Sequence, residues 1–343
     1  MPFSPTLNRR SFLSVAAAVS ALALAGCAGE NAATDIAGKD GGTLTIDFAT
    51  YNPLSLVIKE KGWLEATLAS KGVTVTWVQS AGSNKANQAL LAGAIDVGST
   101  AGSAALLARS NGSPIKTISI YSQPEWAALV AAKGSAITSV ADLKGKSVAA
   151  TKGTDPYFFL VQALEAAGLS TDDVTVQNLQ HADGRAALEN GSVDAWAGLD
   201  PIMATAEQEG ATLFYRNLDF NTYGFLNATE SFLKDKPELA QSVVDVYEKA
   251  RIWAAENPEE TAQILATAAG LKPEVASTVI LKRSNLNVSG IPGEKQRAVL
   301  AKIGPTFVEL GDVKTQAEVD TALSSLLDDS LAVKANPASI KES

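Results

Sequence analysis

Residues 73–97 read VTVTWVQSAGSNKANQALLAGAIDV, and residues 174–195 read VTVQNLQHADGRAALENGSVDA. Each opens on a Val-Thr-Val strand signal, continues with alanine and leucine at helical spacing, and passes a glycine into a second short apolar run. The correspondence runs residue by residue. Val73-Thr74-Val75, Gln79, Ala81, Ala89-Leu90, Gly93 and Ile95-Asp96-Val97 answer to Val174-Thr175-Val176, Gln180, Ala182, Ala187-Leu188, Gly191 and Val193-Asp194-Ala195. Two copies make no solenoid. They predict two α/β lobes facing across a cleft, with a generic β-α-β likeness as the plainer alternative.

Working outward, strand signals fall at 43–49, 95–98, 115–121, 127–131, 147–150, 174–177 and 195–198, mostly alternating with helix-period stretches. A helical pattern over 53–68 stops at Lys71-Gly72, completing a β-α-β unit with the strand at 73–78. Parallel α/β is the architecture this order predicts. From about 230 the pattern turns helical: 236–257, 259–269, 273–281, 294–310 and 315–327, with breaks at Pro258, Pro273 and Gly293. If some of these helices pack back on the first lobe, the chain must cross between lobes twice, near 121–124 and near 221–224. Residues 43–122 with 223–343 are then one lobe, and 123–222 the other.

The 343 residues carry 28 Lys and Arg against 37 Asp and Glu, a formal charge of −9, with no basic stripe for tracking phosphates. Nucleic acid is not an expected partner. One cysteine and one histidine exclude a disulfide framework and Cys/His zinc sites, and leave only His181 or Cys27 for a catalytic dyad. No metal or cofactor is expected. His181 sits beside Asp183 at a helix start, with no nucleophile or oxyanion pair near it in sequence, so helix-start hydrogen bonding is its expected role.

Arg9-Arg10 precede Ser11-Phe12-Leu13 and an apolar run too short to span a bilayer, the pattern of a signal peptide over 1–26. Leu24-Ala25-Gly26-Cys27 resembles the bacterial lipobox, which makes Cys27 the expected lipidated first mature residue. The twin arginine resembles a Tat signal, although any secretory leader is basic. Residues 27–42 lack apolar periodicity and read as a flexible tether.

In open α/β sheets, solutes lie beyond the carboxyl ends of strands, where helix N-termini present unpaired N–H groups. The first such end is Tyr51-Asn52-Pro53: Asn52 and Pro53 suit a cap and first turn, and Tyr51 has no apolar stripe to join and suits a cleft wall. Next come Ser80-Ala81-Gly82-Ser83 and a turn containing Ser99 and Thr100, each a helix cap or an oxyanion seat. Neither has a P-loop lysine, so nucleotide binding is disfavoured. Gln123 lies in the first crossover, followed by Glu125 and Trp126, the acid being a ligand group or a solvated surface residue. In the second lobe Gly153 and Thr154 point toward the gap, and Asp155 reads as an N-cap or a partner for a ligand ammonium. Trp196 is core or cleft wall, and Asp200 ends its strand.

These residues resemble the solute-binding lipoproteins of ABC importers, in the aliphatic-sulfonate, nitrate and taurine branch. The matching pieces are Ala92-Gly93-Ala94-Ile95-Asp96-Val97-Gly98, Asp142-Leu143-Lys144-Gly145-Lys146-Ser147-Val148-Ala149, Lys152-Gly153-Thr154 and Gly191-Ser192-Val193-Asp194-Ala195-Trp196 with Asp200-Pro201. The resemblance implies an α/β, two-lobed periplasmic-binding-protein-like type II clamshell with extra C-terminal helices. It implies a non-enzymatic receptor outside the cytoplasm, lipid-anchored and monomeric, that closes on an alkanesulfonate or taurine and delivers it to a membrane permease. By motif, Tyr51, Asn52, 80–83, Ser99, Thr100, Gly153, Thr154, Trp196 and Asp200 line the cleft. Asp155-Pro156-Tyr157 depart from the family pattern, which puts a bare alkanesulfonate in doubt and leaves room for a zwitterion. The alternatives are a nitrate or pyrimidine/thiamine-precursor receptor, or a related pyrimidine-precursor synthase centred on His181.

Overall fold

A computed structural model describes residues 41–342. The leader over 1–26, Cys27 and most of the tether lie outside the described residues. The described chain begins with β1 (Thr43–Phe48), α1 (Pro53–Lys61), α2 (Trp63–Ala69), β2 (Thr74–Gln79), α3 (Ser83–Leu91), β3 (Val97–Ala101), α4 (Gly102–Ser110) and β4 (Ile115–Ser122). It continues through β5 (Ala127–Ala131), β6 (Ser147–Ala149), α5 (Asp155–Ala166), β7 (Thr175–Gln177), α6 (His181–Glu189), β8 (Ala195–Leu199), α7 (Ile202–Gln208) and β9 (Thr212–Tyr215). After β10 (Gly224–Thr229) come α8 (Glu230–Asp235), α9 (Pro237–Glu256), α10 (Pro258–Ala269), α11 (Pro273–Thr278), α12 (Glu294–Glu309) and α13 (Gln316–Leu326).

The strands form two five-stranded sheets, ordered β2-β1-β3-β10-β4 and β7-β6-β8-β5-β9. The two orders share one plan. In each sheet four strands run in one direction, and the fourth position is filled by a single antiparallel strand, β10 or β5, that the chain makes just after crossing from the other sheet. The purely parallel expectation is corrected here. Strand β10 and strand β9 gave no clear sequence signal, and the antiparallel insertions follow from the two crossovers, at 123–126 and 216–223.

The internal repeat has a physical counterpart. Asp96 accepts a hydrogen bond from Thr45 N at 2.8 Å, and Asp194 accepts one from Ser147 N at 2.8 Å. Both carboxylates thus tie the start of one strand to the foot of its neighbour. Gly93 and Gly191 both close their helices at positive φ, 65° and 76°, where a side chain is strained. The strand-helix-strand units β2-α3-β3 and β7-α6-β8 occupy matching places in the two sheets.

The expected helix over 53–68 is two helices, because Gly62 takes a left-handed conformation (φ 62°) that ends α1 and starts α2. Asn52 caps α1, its side chain accepting from Ser55 N, and Pro53 supplies a first turn with no N–H to satisfy. Strands β3, β5, β8 and β10 are buried along their whole length, as central strands covered on both faces must be. The C-terminal helices cover the first sheet: α13 and α12 pack on α4, and α9 packs on α1. Helices α10 and α11 do something further. Their Leu265 and Ala276, with Val279 just beyond α11, pack with Leu56 of α1 and Ala204 of α7, so this pair bridges the two sheet layers. Among the described residues, no helix is long and apolar enough to cross a membrane.

Candidate functional site

Segments that follow the parallel strands of the two sheets meet, and three sets of contacts join them. The first centres on Asp155 at the start of α5. Its carboxylate is buried and accepts from Ser103 Oγ (2.5 Å), Thr222 Oγ1 (2.6 Å), Thr222 N (2.7 Å) and Trp126 Nε1 (2.8 Å). These donors come from the N-terminus of α4 and from both crossovers. Burial pushes the Asp155 carboxyl up, and its four donors pull it back. The structure puts Thr154, not Asp155, at the cap of α5. With every oxygen engaged by protein donors, Asp155 is a brace between lobes here rather than a seat for an ammonium.

The second set presses the loop after β2 against α6. A Cβ placed on Gly82 would lie 3.0 Å from His181 Nε2, so glycine lets the loop and the ring approach without either giving way. His181 is buried; its Nδ1 lies 3.2 Å from Thr151 Oγ1, and among the described residues Nε2 has no hydrogen-bond partner. Desolvation lowers its pKa to about 4, which leaves the ring neutral at ordinary pH. Asn84 Nδ2 donates to Gln180 Oε1 beside it, and Gly153 faces Asn84.

The third set encloses a cavity lined by Tyr51, Ser122, Trp126, Asp200, Arg283 and Ser284, among others. The Tyr51 and Trp126 rings meet edge to face at 6.2 Å, and Tyr121 packs on Trp126 at 6.5 Å. Tyr51 is fixed by its hydroxyl, which donates to Ser99 O at 3.0 Å. Asp200 accepts from Ala204 N at 2.9 Å and from Arg283 Nη1 at 3.3 Å; burial pushes its carboxyl up to about 7, against the pull of Arg283. The other end of the guanidinium is held by Glu207 of α7. Arg283 closes a π-helical turn, Val279–Arg283, in which Ser284 N reaches back to Val279 O. Single π turns are rare and recur at functional sites. The cavity leaves about 10 Å³ for the centre of a water-sized sphere, room for about one water.

The residues singled out from sequence divide accordingly. Tyr51, Trp126 and Asp200 share the cavity. Asn52 is fully buried behind it, capping α1 and donating to the Tyr247 hydroxyl at 3.1 Å. Ser99 and Thr100 are not in a turn: β3 runs to Ala101, so both lie inside the sheet. Ser99 serves Asp47 through its N–H and hydroxyl, and Thr100 accepts from Asn227 Nδ2. Asp47 is fully buried, and desolvation raises its carboxyl to about 7 against the hydrogen bonds of Ser99 and Ser80. Ser83 Oγ accepts from Ala101 N, Ala81 is exposed, and Thr154 Oγ1 donates to Thr151 O. Gly153 stands between the loop after β2 and α5 with φ 75°. Gln123 opens instead onto a groove with Tyr223 and Asn285, and Glu125 pairs with Arg216 at 2.7 Å. Trp196 is core, wedged so tightly under α6 that a Cβ on Gly184 would sit 2.8 Å from its Nε1.

Arg283 and Ser122 were missed. Ser122 ends β4 with its hydroxyl buried and, among the described residues, unpartnered, and Arg283 lies 83 residues from the aspartate it faces. Nothing local marks either one: the arginine follows an ordinary helical run, and only the bridge made by α10 and α11 carries it to the cavity. Among the described residues, no cluster of His, Cys, Asp and Glu is arranged to hold a metal ion.

A family model described as NMT1/THI5 like matches residues 53–261. A protein of Bacillus subtilis (strain 168) named "Putative aliphatic sulfonates-binding protein" is 31% identical, the match covering 69% of this chain and 73% of that one. A namesake from Escherichia coli (strain K12) is 29% identical, covering 64% and 70%. Among solved structures, the alkanesulfonate-binding protein SsuA from Xanthomonas axonopodis pv. citri, bound to MOPS, superposes with a TM-score of 0.75 at 25% identity, over 83% of this chain and 99% of that one. The two-lobed fold is shared with that solved binding protein.

Proposed function

Because the chain belongs to the NMT1/THI5-like family, we propose that it is the solute-capturing subunit of an ABC importer, working outside the cytoplasm on an aliphatic sulfonate or a close relative such as taurine. The observation that carries this reading is the cavity enclosed between the strand ends of the two sheets, walled by Tyr51 and Trp126 and holding one guanidinium. Its present size suits one water, so a solute of several heavy atoms enters only when the lobes part, and is held when they close again. The crossovers at 123–126 and 216–223 are the hinges of that motion. No covalent step is involved, and the solute leaves unchanged for a permease. Export under a leader over 1–26, with a lipid on Cys27 and a tether to residue 42, completes the proposal.

A thermal-shift panel tests it. A ligand at 100 times its Kd adds about 2.7 kcal/mol of stability. Butane-1-sulfonate or taurine should raise the melting temperature, and nitrate and pyrimidine precursors should leave it unchanged. The opposite pattern refutes the solute class, and turnover of any of these compounds refutes the receptor reading.

A further inference from the structure

We infer that Arg283 receives the acid head of the solute, and that Asp200 and Glu207 are its resting counter-ions, displaced in part when the solute binds. The inference rests on the receptor reading and names the residue that does the work.

Four observations carry it. Among the described residues Arg283 is the one cation lining the cavity, and its side chain is 5% exposed. It closes the turn that follows the α10–α11 bridge, which touches α1 on one side and α7 on the other, so it stands between the two sheet layers. Its contacts to Asp200 are long, 3.3 and 3.4 Å, where a committed ion pair is closer to 2.8 Å. Finally, Ser122 lines the same cavity, and among the described residues its buried hydroxyl, close against Gly224, has no hydrogen-bond partner, nor has the neighbouring Tyr121 hydroxyl. Buried hydroxyls rarely go unsatisfied, and an anion beside Arg283 would give the Ser122 donor its acceptor. The hydroxyl-rich turns expected from sequence to do this work are engaged elsewhere: Ser83, Ser99, Thr100 and Thr154 all serve the protein's own backbone or side chains.

Competition gives the two acids a definite sign. Glu207 draws on the guanidinium from the far side, so neutralising it frees Arg283 for the solute. A bracing role predicts the reverse, since loosening the brace would slacken the site.

Isothermal titration with butane-1-sulfonate and taurine on wild type, Arg283→Gln and Glu207→Gln is the test, with melting curves recorded for each. Arg283→Gln should weaken sulfonate binding about 10- to 100-fold, the range for a lost charged hydrogen bond. Glu207→Gln should tighten it several-fold. Wild-type affinity in a folded Arg283→Gln protein overturns the inference and leaves the receptor reading standing. If Arg283→Gln does not fold, Glu207→Gln decides: unchanged or weakened binding overturns the inference. If wild type itself binds neither sulfonate, both readings fall together.

Discussion

Replacing Asp155 by alanine should cost more than any other single change at the lobe junction, and replacing it by asparagine should cost little. Four donors converge on this carboxylate, and they differ in what they can do without it. The N–H groups of Trp126 Nε1 and Thr222 have fixed directions and, among the described residues, donate to Asp155 alone. Each buried, orphaned donor costs about 1–3 kcal/mol. The hydroxyls of Ser103 and Thr222 can turn, and Thr222 Oγ1 already accepts from Ser103 N at 3.1 Å. Alanine therefore destabilises by about 2–6 kcal/mol, a large part of the ~5–15 kcal/mol a domain possesses. Asparagine can aim its carbonyl at the two N–H groups and its amide at the two hydroxyls, which rotate to accept. Its cost should stay under about 1.5 kcal/mol, the net worth of an ordinary hydrogen bond. Urea titration followed by tryptophan fluorescence measures both. An alanine variant within about 1 kcal/mol of wild type, or an asparagine variant as weak as alanine, refutes the account of Asp155 as a satisfied brace.

Further outcomes follow from other close approaches. Gly224→Ala places a Cβ 2.4 Å from both Ser122 Oγ and the Tyr121 ring, so the melting temperature should fall by several degrees. Gly184→Ala should push the Trp196 ring aside, losing about 1–3 kcal/mol and changing the near-ultraviolet circular dichroism of its indole; an unchanged spectrum contradicts the packing. For His181 the folded pKa of about 4 lies below the ordinary 6.5, so the unfolded chain takes the proton first. Its stabilising contribution is full above pH 6.5 and is lost as pH falls toward 4, by about 3 kcal/mol. Asp47 and Asp200, raised from 3.8 to about 7, act in the opposite sense: their stabilising contribution is full below pH 3.8 and is lost as pH rises from there to about 7. The His181 share is therefore read as the difference between wild type and His181→Gln at pH 7 and pH 4.5, and a constant difference contradicts its burial as a neutral ring.

What was legible from the residues alone is the part that local physics decides. Strand and helix periods, the Pro53 and Pro258 starts and the Gly93 and Gly191 stops fixed most elements within a few residues. The echo between 73–97 and 174–195 was a true copy of one unit, down to the two aspartates that tie neighbouring strands. The cavity was legible only in part. Tyr51, Trp126 and Asp200 could be placed there because each follows or precedes a strand end, and strand ends gather at one edge of a sheet.

Which hydroxyls are free, and which charge faces which, depended on segments far apart in the chain. Ser99 looked available because its strand was expected to stop at Gly98, and three more residues of pairing with β10 put it inside the sheet beside Asp47. Arg283 came to the cavity because α10 and α11 pack on both α1 and α7, an apolar contact among residues that are ordinary in sequence. A buried donor or charge must find a partner somewhere, and local sequence sets its need while the tertiary packing alone chooses the partner.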